Sequence, residues 1–221
     1  MITRVSSKIR FAAVAVDAVI FGIREGELRV LLVEVNRPPH YTNIKGFPGG
    51  LVELEENADE AVARTLREKA GLESIYTEQL YTFSEKERDR RNRVISIAYI
   101  CLVNSHILDT LKAQWVPVTQ IGTLAYDHNV MLQVALERLK GKLTYTNVAR
   151  YLLPKKFTLS ELQEVYEIVL GVQFDKRNFR KKVLSLNLVE DTGDTQEGVR
   201  NRPAVLYRFR EQGVKVIPLF V

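Results

Sequence analysis

Residues 46–72 read GFPGGLVELEENADEAVARTLREKAGL, a glycine turn that runs into carboxylates and an arginine on a helix-patterned stretch. Those residue types, in that order, suit work on a phosphorylated ligand. Gly49 and Gly50 carry no Cβ, so the backbone can approach an anion closely. Cleaving a diphosphate also requires neutral charge on its oxygens and a water activated in line. Magnesium supplies both when hard oxygen ligands hold it. Glu53, Glu55, Glu56 and Glu68 are the carboxylates at hand, with Arg64 among them.

The elements that must position these side chains follow from the apolar pattern. Ala58, Ala61, Val62, Thr65 and Leu66 recur at three- and four-residue steps, which predicts a helix over 57–70 with one small apolar face. Asn57 is placed as its N-cap, Asp59 and Glu60 suit its first turn, and Gly71 stops it. Residues 11–21 (FAAVAVDAVIF) and 28–35 (LRVLLVEV) predict two strands joined through 22–27 as a hairpin. The prolines of Asn36-Arg37-Pro38-Pro39 remove amide donors and break the ladder, with a loop expected over 40–45. Further strands are expected over 79–84, 94–103 and 113–118. Tyr81 and Phe83 read as core. Residues 127–140 return to helical spacing through Val130, Leu132, Val134, Leu136 and Leu139. Mixed strands with two helices form an α/β sandwich.

The stretch 46–72 resembles the Nudix box: Gly, five residues, Glu, seven residues, Arg-Glu, apolar, any, Glu-Glu, any, Gly, apolar. Gly50, Glu56, Arg64, Leu66, Glu68, Gly71 and Leu72 occupy signature positions without a gap. The resemblance implies a Nudix α/β/α sandwich with a mixed sheet, and hydrolysis of a nucleoside diphosphate linked to another group. It also implies that the Glu after the arginine and the later Glu pair form the metal cluster. Here Thr65 and Lys69 replace two of those three. Lys69 places a cation where a cation should bind. A two-unit charge change within about 4–6 Å opposes metal loading by several kcal/mol before screening. The degenerate set is therefore Glu56, Arg64 and Glu68, with Glu56 and Glu68 as weak magnesium ligands. No cofactor is required, and the expectation is binding without efficient turnover.

Two patches are placed to meet a phosphorylated ligand beside Gly49, Gly50, Arg64 and Glu68, which the box itself offers as ligand-binding residues. One carries Arg37. The other is the charged loop 85–93 (EKERDRRNR), which carries Arg88 and Asp89. Arginine forks match phosphate oxygens, and an acid can take ribose hydroxyls. A solvated charged loop is the competing reading of 85–93.

Beyond 141–147 (GKLTYTN) the texture changes, which divides the chain into domains 1–145 and 146–221. A helix over 157–170 ends at Gly171, and Asp175 is placed to cap a second helix over 176–186. Lys176, Arg177, Asn178, Arg180, Lys181 and Lys182 lie on that second helix, while Phe179, Val183 and Leu186 give it an apolar face. Short strands at 188–191 and 204–209 flank a polar tip with Arg200 and Arg202, which makes a wing. A basic helix placed second in a helix-turn-helix is set to enter a major groove of duplex DNA.

The net charge is +5 with a sequence pI near 9.3, which suits an anionic partner. The single cysteine, Cys101, sits in an apolar run, which excludes a disulfide framework and points to a reducing cytosol. No run reaches the roughly 18 apolar residues of a spanning helix, so no membrane partner is expected.

The C-terminal stretches FTLSELQEVYEIVLG, DKRNFRKKVL and NRPAVLYRF are similar to the winged-helix module of Nudix-related transcriptional regulators, the NrtR family. LYTF, Arg88-Asp89 and Tyr126-Asp127-His128 resemble that family as well. The resemblance implies a dimeric bacterial repressor in the cytoplasm, bound to a palindromic operator. Its Nudix-like domain would sense ADP-ribose or a related phosphorylated metabolite and control genes of NAD metabolism or pentose utilisation. An active magnesium-dependent ADP-ribose pyrophosphatase with a DNA-binding tail is the alternative, and an RNA-binding protein the weaker one. Arg90 stands where relatives have Pro, and 44–47 (IKGF) replaces a Trp-containing segment, which bears on the ligand rather than the fold.

Overall fold

The structure, a computed structural model, describes residues 11–110, 114–198 and 203–218. Strand β1 (Ala13–Arg24) turns back into β2 (Glu27–Arg37) as an antiparallel pair. The connection is Glu25-Gly26, both at positive φ (55° and 73°), the twist that two-residue hairpins favour. β2 continues past the expected ladder break, because Arg37 still pairs with Tyr41 across the proline turn. The expected loop over 40–45 is therefore a strand, β3 (Tyr41–Gly46), paired with β2. The prolines sit in the turn, where their missing donors cost no ladder bond.

A short strand, β4 (Gly49–Leu51), precedes helix α1 (Ala58–Thr65), which widens into a π turn at Leu66–Ala70. Asn57 accepts from the amides of Asp59 and Glu60, while the Glu60 side chain accepts from the Asn57 amide, a full capping box. Gly71 closes the helix at φ 65°. There follow β5 (Tyr76–Phe83), β6 (Val94–Leu102), the short α2 (Ser105–Thr110) and β7 (Gln114–Pro117). α2 was not expected; six residues are too few to show a helical period.

The sheet runs β3-β2-β1-β6-β5, with β4 also on β1 and β7 on β2. β1 and β6 are parallel and central, and both are apolar on both faces. Val16, Ala18 and Ile20 pack with α1, whereas Val19 and Phe21 point to the opposite face. In β5 an extra residue between Gln79 and Tyr81 bulges the strand. Phe83 is buried as expected, but Tyr81 is exposed.

Helix α3 (His128–Tyr145) covers that second face. Its inward stripe is Met131, Leu132, Ala135, Leu139 and Leu143, and Val130 faces solvent. The helix continues through the expected junction as far as Tyr145. Beyond it lie α4 (Leu159–Leu170), α5 (Lys176–Ser185) and the antiparallel pair β8 (Val189–Thr195) and β9 (Val205–Phe209). Thr158 and Glu161 form a capping box on α4, Gly171 ends it at φ 72°, and Asp175 caps α5. Helix-turn-helix followed by a hairpin is a winged helix. Its apolar interior is continuous with the α3 face of the sheet, through Leu139, Leu143, Val148, Leu152, Leu162 and Val183. The chain then returns to the junction: the amide of Ile217 donates to the carbonyl of Tyr145 at 2.8 Å. Among the described residues no helix is long and apolar enough to cross a membrane.

Cys101 is fully buried in β6, and burial pushes its thiol up to about 12. Only the thiolate reacts, so the native protein should be silent to Ellman's reagent at neutral pH. Denatured protein should release one equivalent of thionitrobenzoate per chain. Rapid labelling of the native protein would contradict the buried placement.

Candidate functional site

β1 pairs with β2 over its last residues and with β4 nearer its start, over Ala15–Asp17. The sheet therefore forks, and the fork opens a cavity of about 770 Å³. That size lies within the usual range of small-molecule sites, roughly 300–1,000 Å³. Arg37 from β2, Gly49 and Gly50 from β4, and Arg88 and Asp89 from the loop before β6 all line it. These five sequence-predicted residues are thus brought together. Arg64, Glu68 and Glu56 are not among the lining residues, whereas Lys69, Arg91, Asp17 and Tyr126 are.

The floor is a buried ion network. The Arg88 guanidinium donates to both carboxylate oxygens of Asp127, at 3.0 and 2.8 Å, and approaches Asp17 at 3.4 Å. Asp17 also accepts from the Ser96 hydroxyl at 2.6 Å and lies 3.4 Å from His128 Nε2. His128 Nδ1 accepts from the Phe47 amide at 2.9 Å. With Nδ1 engaged by the backbone, Nε2 is the ring nitrogen that faces Asp17. Burial by itself raises the Asp17 carboxyl. His128, Ser96 and Arg88 outweigh that and hold it below the usual carboxylate range. Gly49 is required here, since a Cβ on it would lie 1.9 Å from Asp17 Oδ1 and 2.8 Å from the Val16 carbonyl.

The solvated-loop reading of 85–93 fails at two positions, because Arg88 and Asp89 are each only 6% exposed. Asp89 accepts from the Arg91 amide and Nε at 3.0 Å each, and from Arg91 Nη2 at 2.7 Å. Three donors of Arg91 take up three of its roughly four lone-pair sites, so Asp89 is mostly occupied rather than an open acceptor for ribose hydroxyls. What it presents instead is Arg91, whose guanidinium lies 5.5 Å from the Tyr126 ring and 5.9 Å from Tyr41. Tyr126 sits at φ 56°, a left-handed conformation uncommon for an aromatic residue and often found at working sites. Arg91 was visible in the run RDRRNR, and Tyr126 in Tyr126-Asp127-His128. Arg91 belongs to the charged loop expected to meet a phosphorylated ligand, whereas nothing in the sequence singled out Tyr126 as lining a pocket.

The box residues cluster around Arg64. Its guanidinium meets Glu56 at 2.5 and 3.0 Å, the Leu51 carbonyl at 3.0 Å, Glu68 at 3.5 Å and Glu53 at 3.6 Å. The hydrogen bond from Arg64 holds the Glu56 carboxyl down to about 2. Thr65 is buried beneath Gly50, and its hydroxyl has no hydrogen-bond partner among the described residues. The Lys69 ammonium donates to the Gly49 carbonyl at the cavity wall. Its pKa is lowered, first by desolvation and then by Arg37, against the opposing pull of Asp17. Magnesium does not fit this donor set. Glu56 is taken up by Arg64, Thr65 lies under the backbone, and a cation holds the last position. No three His, Cys, Asp or Glu side chains converge on a metal-sized site among the described residues.

The second candidate surface is α5. Lys176, Arg177, Asn178, Arg180, Lys181 and Lys182 are all exposed, while Phe179 and Val183 are buried. Phe179 packs between Tyr166 and Phe174, each ring 5.6 Å away, and this fixes which face turns outward. None of the five cations forms a salt bridge among the described residues, although nearby Lys156 pairs with Asp194 and Arg208 with Glu190. Arg200 and Arg202 lie outside the described residues.

The family model described as the NUDIX domain matches residues 13–135, and the one described as the NrtR DNA-binding winged helix domain matches 149–209. The chain is similar to the ADPR responsive transcriptional repressor NtrR of Acinetobacter baylyi, at 36% identity over 206 residues. That match covers 89% of this chain and 82% of the relative. It is also similar to the crystal structure of Shewanella oneidensis NrtR complexed with a 27mer DNA, with a TM-score of 0.79 and 34% identity. There the coverage is 89% of this chain and 93% of that one. The NUDIX domain of the same Shewanella protein, complexed with ADP ribose, matches with a TM-score of 0.54 and 28% identity. It covers 62% of this chain and 94% of that one.

Replacing Arg88 with Ala leaves the buried Asp17 and the half-buried Asp127 without their counter-charge. Urea unfolding should show a loss of about 3–5 kcal/mol, and Arg88→Lys should not restore it, since lysine lacks the fork. Gly49→Ala should cost about 1–3 kcal/mol by displacing Asp17. Wild-type stability in either Ala variant would rule out the network as described.

Proposed function

This chain belongs to the NrtR family of Nudix-related transcriptional regulators, and we propose that it is a repressor whose Nudix-like domain senses ADP-ribose. The observation that carries this reading is one chain that joins a cation-rich cavity to a winged helix whose second helix turns five cations outward, none of them in a salt bridge among the described residues. The diphosphate of ADP-ribose lies along Gly49 and Gly50, within reach of Arg37 and Arg91. The tyrosines beside Arg91 offer π faces to a base or sugar. The ligand is held and not cleaved, and neither magnesium nor another cofactor is required.

On duplex DNA, α5 enters the major groove, where Arg177, Asn178 and Arg180 reach base edges and Lys176, Lys181 and Lys182 reach phosphates. Arg200 and Arg202, which the sequence assigns to the polar tip between the two short strands, add further cations for the DNA backbone. The protein acts as a homodimer in the cytoplasm, with its two recognition helices about 34–36 Å apart on a palindromic operator. It controls genes of NAD metabolism or pentose utilisation. ADP-ribose regulates only if liganded and free forms differ in operator affinity. α3 supports such coupling, because Asp127 before its first turn holds Arg88 at the cavity floor and Tyr145 in its last turn holds the returning chain at Ile217.

Fluorescence anisotropy on operator DNA should show an affinity that changes as ADP-ribose is added; a flat titration removes ADP-ribose as effector. Arg177→Ala and Arg180→Ala should each weaken operator binding by about 1–3 kcal/mol if they read bases. The retained Glu56, Arg64 and Glu68 keep a pyrophosphatase as the second reading. AMP released from ADP-ribose with magnesium, and lost in Glu68→Gln, would establish it.

A further inference from the structure

Lys69 occupies a box position where an acidic metal ligand belongs, yet its side chain lies against the cavity wall with a backbone partner. We propose that Lys69 is the fixed counter-cation of the ligand's diphosphate, in place of a carboxylate with its divalent ion, so that effector binding is independent of metal. The proposal rests on the reading of the cavity as a site for a diphosphate-bridged nucleotide sugar.

Charge balance supports it. The cations lining the cavity are Arg37, Lys69, Arg88, Arg91 and Arg93, and the carboxylates are Asp17, Glu34 and Asp89. The lining residues are thus net positive, the sign a diphosphate diester requires, even with Asp127 beneath Arg88 counted as a fourth carboxylate. A glutamate at position 69 would lower the charge of the same cavity by two units, and one bound magnesium would restore those two units. Lysine thus delivers the charge of the carboxylate and its metal together, without the ion.

Geometry supports it as well. An ammonium has three donors. The Gly49 carbonyl accepts from Lys69 and leaves donors free for phosphate oxygens. Lys69 is thereby held beside the glycine pair that lets a phosphate approach the backbone. Arg64 cannot take this part, because Glu56, Glu53 and Glu68 surround its guanidinium. Arg88 is committed to Asp127 and Asp17 on the floor. Of the three cations in the box, Arg64, Arg67 and Lys69, only Lys69 lines the cavity.

Isothermal titration calorimetry on the full chain tests this, with ADP-ribose and inorganic pyrophosphate as probes, each in EDTA and in magnesium. Wild type should bind ADP-ribose with the same affinity in both buffers. Lys69→Met should lose roughly tenfold or more for both probes, the scale of a charge-assisted hydrogen bond. Lys69→Gln is a second neutral variant should the methionine form fail to fold, and Lys69→Arg should keep most of the affinity. Lys69→Glu should bind weakly in EDTA and recover in magnesium. Ligand-free melting temperatures should stay near wild type for these exposed substitutions. Magnesium-dependent binding by wild type, or full affinity of Lys69→Met in EDTA, would overturn the proposal. Pyrophosphate binding that depends on Lys69, with no binding of ADP-ribose, would uphold Lys69 and reject ADP-ribose as the ligand.

Discussion

The fork of Arg88 between Asp17 and Asp127 is the constraint on which the site depends. A buried guanidinium is tolerable only when its donors and charge are matched. Asp127 matches it with two oxygens, and Asp17 adds a second carboxylate that His128 and Ser96 also hold. Asp17 in turn admits only glycine at position 49. One ion network therefore fixes the register of β4 against β1, the path of the loop before β6 and the first turn of α3. β4 and that loop line the cavity, as does Tyr126 just before α3.

Against that floor, the degenerate box divides by physical role. The retained residues are the ones that build its shape: Gly50 over Thr65, Glu56 locked to Arg64, and Gly71 as the left-handed cap. The replaced residues are two that would have held metal. Thr65 is small enough to lie buried beneath the glycine strand, and Lys69 reaches the Gly49 carbonyl from the π turn. The scaffold of a hydrolase persists because these contacts are needed for the fold regardless of chemistry.

The two functional surfaces are linked by packing rather than by a flexible tether. α3 starts at the cavity floor and ends against the winged helix, and one apolar cluster runs along it from β1 to α5. Interiors packed at this density transmit displacement rather than absorb it. A shift in how Arg88 is held thus has a path to the recognition helix, through a helix that Lys142 also ties to Glu78 on β5 at 2.6 Å.

By itself the sequence determined what local periodicity and end signals can encode. The glycine turn with its box helix, the capping residues Asn57 and Asp175, and the outward cations of α5 are all relations among residues a few positions apart. Five cavity residues were legible in this way: Arg37, Gly49, Gly50, Arg88 and Asp89. Tertiary structure alone decided the rest. Arg88 turns inward and Arg91 outward because their acceptors lie 39 and two residues away, in opposite directions. Phe47 meets His128 across 81 positions. Whether residues 40–45 formed a strand depended on β2 being there to pair with them. Such pairings leave no pattern in the chain, since electrostatic matching in a dry interior depends on which distant groups the fold brings within about 3 Å, not on their spacing along the sequence.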